Sequence, residues 1–151
     1  MTGQAQRQRK PAIEGWFTTG DDPVLLGNRC TTCGTVFFPK ASFFCRNPAC
    51  SGEEFEETPL SRRGRIWSFT DAQYQPPPPY VPRSADFTPF AIAAVELADE
   101  QMVVLGQVAD GFGVDDLEVG QQVELVIEDL FSDDEHDYVV WKWKPVAGAT
   151  A

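Results

Sequence analysis

Cys30, Cys33, Cys45 and Cys50 are the residues of this 151-residue chain best suited to chemistry, in the order C-x2-C-x11-C-x4-C. The first pair, CTTCG, is a tight turn with a glycine behind it. Such a turn aims two thiolates at one point and directs backbone N–H groups at the sulfurs. The second pair, CRNPAC, is a longer turn. Four thiolates arranged this way suit tetrahedral Zn²⁺ at Zn–S distances of about 2.3 Å. Two disulfides are the alternative, with three connectivities open, but nothing in the chain suggests the oxidising, exported setting they need. A redox C-x-x-C normally sits in an α/β thioredoxin setting, which is absent here. Iron in a rubredoxin-like site is a further option. Four protein ligands leave no coordination position open, so the metal builds structure rather than activating water. Its binding also supplies much of the folding energy of so small a lobe.

No catalytic set accompanies the cysteines. His136 is the single histidine, in SDDEHDY. Among these acidic neighbours it reads as a surface residue rather than a general base. No Ser-His-Asp set can be built without that loop histidine. The acidic run Asp133–Asp137 has no EF-hand spacing and reads as a solvated loop. Gly111-Phe112-Gly113 lacks the strand–helix setting of a phosphate loop.

The elements that must hold these residues follow from periodicity. Pro11 opens a short helix, with Ile13, Trp16 and Phe17 on one stripe, ended by Gly20-Asp21-Asp22-Pro23. Trp16 and Phe17 are a large apolar payload for such an arm, suited to its own domain or to a partner. Val24–Leu26 and Val36–Phe38 read as short strands. Residues 64–74, GRIWSFTDAQY, read as a longer one. Residues 75–89 form a stiff proline-rich loop. Strands resume at Phe90–Ala98, Met102–Val108, Gln121–Leu130 and Tyr138–Lys144, with one helical turn over Val114–Val119. Trp141 and Trp143 share a face, which reads as barrel core or else as an exposed docking face. Five strands in the second half, without a long helix, imply a small barrel of the OB type. The fold class is mostly β, with an N-terminal helical arm, a zinc ribbon and a five-stranded OB barrel. The expected divisions are 1–23 for tail and arm, 24–63 for the ribbon, 64–146 for the barrel and 147–151 for a loose tail.

Charge narrows the function classes. The net charge is −11, split into +2 for Met1–Arg65 and −13 for Ile66–Ala151. Such a chain repels polyanions, which disfavours nucleic acid as a partner. No apolar run approaches the roughly 20 residues of a membrane span, and no secretory signal opens the chain. A cytoplasmic protein without a membrane partner is expected.

The order of parts resembles the zinc-ribbon OB-fold proteins that accompany thiolase-like enzymes, once catalogued as a domain of unknown function. The ribbon resembles the pattern R-C-x-x-C-G-x-x-x-F-P in Arg29–Gly34 and Phe38-Pro39. The strand Gly64–Thr70 resembles G-x-hydrophobic-x-S-F-T. Pro89–Leu97, Leu105–Val108 (LGQV) and Asp116–Leu125 (DLEVGQQVEL) continue the match over most of the chain. Two departures stand out: the second knuckle is C-x4-C rather than the commoner C-x2-C, and the PPPPY loop is longer and richer in proline.

The resemblance implies a thiolase-like partner subunit in a hetero-oligomer, with acyl-CoA handled by the complex. The catalytic groups belong to the partner, and this chain completes and stabilises the assembly and borders the CoA or acyl path. Members from steroid side-chain degradation aldolases resemble the sequence most. On this view Arg62, Arg63 and Arg65 meet CoA phosphates at the subunit interface, or else form a solvated linker paired with Glu53, Glu54, Glu56 and Glu57. Trp16, Phe17, Tyr74, Tyr80 and Phe87 are the candidate interface residues. A stand-alone acyl-CoA-binding protein and a nucleic-acid-binding OB protein are the alternative functions.

Overall fold

The computed structural model describes residues 8–146. The expected loose tail at 147–151 lies outside the described residues. Among the described residues nine strands run β1 (Gln8–Pro11), β2 (Leu26–Cys30), β3 (Val36–Phe37), β4 (Phe55–Pro59), β5 (Arg63–Ala72), β6 (Phe90–Leu97), β7 (Met102–Val108), β8 (Gln122–Ser132) and β9 (His136–Pro145). The expected helical turn is a 3₁₀ turn over Val114–Asp116.

The ribbon is an antiparallel sheet in the order β3-β2-β4. The barrel is a closed circuit. β5 pairs antiparallel with β6, β6 with β7, β9 with β8 and β8 with β5, while β7 and β9 run parallel. That connectivity is the OB arrangement, closed on itself and so without free edges inside the circuit. A bulge between Ile66 and Ser68 bends β5 around the barrel.

Strand alternation sends Ala93, Val95 and Leu97 of β6, Val123 and Leu125 of β8, and Val139, Trp141 and Trp143 of β9 into the core. Gly106 on β7 faces the two indoles. A Cβ there would stand 2.9 Å from ring atoms of Trp141 and Trp143, so only glycine fits.

The expected helical arm is not there: no α-helix occurs among the described residues. β1 instead lies parallel to β9, in register from Gln8 opposite His136 to Pro11 opposite Val139. Gly15 then turns the chain with φ +84°, and Phe17 bridges to Leu25. A helix of one or two turns does not offset its nucleation cost. The extended path gives each aromatic a partner. Trp16 stacks on Trp141 at 6.1 Å and meets Phe38 edge-on at 5.5 Å. Phe17 is buried against Trp141 at 5.8 Å. These rings, with Leu25 and Leu60, join ribbon and barrel in one core.

Candidate metal centre

β2 carries the chain into the first knuckle, with Cys30 as its last residue. Cys30 N–H donates to Thr35 O at 2.9 Å, and Gly34 N–H donates back to Cys30 O at 2.9 Å. Gly34 takes φ +79°, the conformation this turn needs.

The second knuckle absorbs its longer spacing in a turn of its own. Cys50 N–H donates to Asn47 O at 2.9 Å, and the Asn47 side chain accepts from Ala49 N–H at 3.0 Å. Cys45 N–H donates to Gly52 O at 2.8 Å, tying the two ends of the knuckle together. Asn47 N–H points at Cys45 Sγ at 3.5 Å, and Gly52 N–H at Cys50 Sγ at 3.3 Å. The extra residues therefore form a local turn that keeps both sulfurs at the four-cysteine cluster.

The four sulfurs lie within 4.8 Å of one another. Cys30 and Cys50 are 3.8 Å apart, and Cys33 and Cys45 are 3.7 Å apart. A tetrahedron with Zn–S of about 2.3 Å has edges of about 3.8 Å, so the donor set fits the ion. No disulfide joins them. The Thr35 hydroxyl, 3.1 Å from Cys33 Sγ, holds that thiol down to about 6. Burial pushes Cys45 up to about 12. A bound dication is what allows four such unequal thiols to be thiolates together. The site is structural zinc, closed by four protein ligands.

Two supporting residues carried no signal in the sequence. Asn28 is buried and pairs with the backbone of Ala41, donating to its oxygen at 2.8 Å and accepting from its N–H at 3.0 Å. It pins the approach to the second knuckle onto β2. Gly52 packs under the metal site, where a Cβ would stand 2.9 Å from Cys30 Sγ.

The comparisons with known proteins bear on the ribbon first. Residues 19–56 match the family model described as "ChsH2, rubredoxin-like zinc ribbon domain", and residues 57–128 match "ChsH2, C-terminal OB-fold domain". A "DUF35 domain-containing scaffold protein" of Methanocaldococcus jannaschii is 31% identical over 143 residues, covering 91% of this chain and 92% of that protein. The chain belongs to the ChsH2/DUF35 zinc-ribbon OB-fold family. A second relative, "Benzoylsuccinyl-CoA thiolase subunit BbsA" of Geobacter metallireducens, is 33% identical over 129 residues, covering 85% of this chain and 79% of the relative. Among solved structures, a chain of the "Ltp2-ChsH2(DUF35) aldolase" superposes with a TM-score of 0.61 at 24% identity, covering 81% of this chain and 84% of that one. At that identity the likeness speaks for the fold.

The remaining site candidates of this ChsH2/DUF35 member are scattered. Arg62 donates to Pro23 O at 3.0 Å and reaches Asp22 at 3.4 Å. Arg63 pairs with Glu124 at 3.7 Å, and Arg65 donates to Gly120 O at 3.1 Å. Their recorded partners are thus not Glu53, Glu54, Glu56 or Glu57; Glu57 pairs with Lys40. Phe17 and Trp16 are occupied within the core seam. Phe17, a candidate interface residue, is buried in the core of this chain. Tyr80 and Phe87 are half-buried and pack with Phe90 as a trio of rings, centroids 6.0 to 6.5 Å apart. Tyr74 stands 76% exposed. His136 is half-buried, its imidazole 3.8 Å from Asp133 and beside the Tyr138 ring. Trp67, Val103 and Leu105, with no sequence signal marking them as a surface group, are exposed on β5 and β7, the two strands that flank β6. No helix among the described residues is long and apolar enough to cross a membrane.

Proposed function

We propose that this chain is an accessory subunit of a thiolase-like enzyme acting on acyl-CoA thioesters, needed for the assembly and activity of that enzyme. One observation carries the reading. Relatives aligned over most of their own length are a scaffold protein and a thiolase subunit, while the four thiols here are gathered as a metal-ligand set. The partner brings the catalytic groups, and this subunit borders the CoA or acyl path. The resemblance favours carbon–carbon bond cleavage by an aldolase of the steroid side-chain type within this class.

Exposed groups support a docking role. Trp67 and Leu105 are each more than half exposed, a large apolar exposure for a free surface. Arg63 and Arg65 lie on the same strand as Trp67 and keep exposed guanidinium groups, suited to anionic phosphates at the rim of an interface. Tyr74 offers a further aromatic contact.

The test is reconstitution. The thiolase-fold protein of the same host is assayed for thioester turnover alone and after co-expression with this chain. The account expects activity to rise at least about tenfold with the chain present. Equal activity without it would overturn the reading.

A further inference from the structure

The proline-rich loop and the turn after β7 line a cleft of about 400 Å³ that is partly open to solvent. That volume lies within the range of about 300–1,000 Å³ typical of small-molecule sites. Its apolar walls are Tyr80, Phe87, Phe90, Phe112 and Leu130. Lys142 supplies the polar end, and its side chain is only 2% exposed.

The ammonium of Lys142 is incompletely used. Its Nζ donates to Asp110 Oδ1 at 3.0 Å. Glu128 Oε1 lies 3.6 Å away, an ionic contact beyond hydrogen-bond length. An ammonium carries three N–H donors, so donor capacity is left over, and buried donors are costly to leave without an acceptor. An oxygen on a molecule in the cavity would supply one.

The surrounding charge selects the kind of oxygen. Asp110 also holds Arg83 at 3.0 Å, and Asp86 is another lining residue of the cavity. Two carboxylates, Asp110 and Asp86, line the cavity and a third, Glu128, stands behind Lys142, against two cations, Lys142 and Arg83. A further carboxylate would be repelled, whereas a neutral carbonyl adds an acceptor without adding charge. The aromatic walls call for a ring-sized apolar body.

We propose that this cavity binds a small neutral carbonyl compound, its ring against Phe90 and Phe112 and its oxygen accepting from Lys142. The same chemistry is offered by a free ketone and by the acyl group of a thioester. The site stands whether or not the chain has a thiolase-like partner.

The test is a titration of the isotope-labelled full chain, zinc-loaded, followed by NMR. The probes are acetophenone, S-benzoyl-N-acetylcysteamine, toluene and benzoate. The proposal expects saturable shifts at Phe112, Leu130 and Lys142, with one or both carbonyl probes bound about tenfold more tightly than toluene or benzoate. The tighter of the two carbonyl probes identifies the source, ketone or thioester. Lys142→Met should bring the carbonyl probes down to the level of toluene. Should that variant not fold, Leu130→Trp fills the cavity with Lys142 intact and should abolish the shifts. Toluene or benzoate binding as well as the carbonyl probes, shifts away from the cavity, or no shifts at all would overturn the proposal.

Discussion

At the scale of single residues, the metal ligands dominate. Replacing Cys30 with Ser removes a buried ligand at the end of β2, and the account expects zinc content to fall from one ion per chain towards zero. Apparent zinc-binding free energies of about 10–16 kcal/mol in small zinc lobes are folding free energy, so the ribbon should lose its ordered signals when zinc is stripped by a chelator. Metal analysis and NMR of the same sample check both. Asn28→Ala removes both hydrogen bonds to Ala41, leaving a buried N–H and C=O unpaired. A loss of about 1–3 kcal/mol is expected by chemical denaturation of the zinc-loaded protein. The cysteines were legible because ligation depends on residue type and on spacing within one turn. Asn28 was not, because its partner lies thirteen residues away in a segment with no periodic signal. Lys142 was not legible either. It is flanked by Trp141 and Trp143 on the other face of β9, and its partner Asp110 comes from the distant turn after β7.

At the scale of elements, the barrel strands were readable because alternation and turn residues agree over five segments in succession. β4 was missed, since FEETP is a mostly exposed edge strand with no apolar alternation. The arm was misread as a helix because three- and four-residue spacing over five positions cannot separate a helical stripe from an extended chain turning at Gly15. Two predictions belong here. Gly106→Ala pushes a methyl group into the indoles of β9, and a loss of about 1–3 kcal/mol is expected from thermal or urea unfolding. The β8–β9 turn is held by Asp133, which accepts the N–H groups of Glu135 and His136 and the Tyr138 hydroxyl. The His136 N–H foremost, with these other donors, lowers its carboxyl to about 2. The folded value lies below the unfolded one, so this contribution is complete above about pH 4. It is lost as pH falls through about 2. The amide signals of Glu135 and His136 should shift across that window, and Asp133→Asn should leave them flat.

At the scale of the whole molecule, ribbon and barrel share one core through Trp16, Phe17, Phe38 and Trp141. Phe17→Ala should cost about 3–5 kcal/mol. It should destabilise both halves in a single unfolding transition, seen by calorimetry of the zinc-loaded chain; two separate transitions in the unaltered protein would contradict the shared core. Family membership was legible from the order of motifs along the chain. Which faces remain open was not, because exposure at Trp67 and Leu105 is set by what packs across strands rather than by local sequence. The central claim is that this chain works as one subunit of a thiolase-like enzyme. Its most direct test is native mass spectrometry of the chain co-expressed with the thiolase-fold protein of the same host. The account predicts a stoichiometric complex containing both chains and one zinc per copy of this chain, lost in the Cys30→Ser variant. A zinc-loaded chain that stays free of the thiolase-fold protein at micromolar concentration would contradict it.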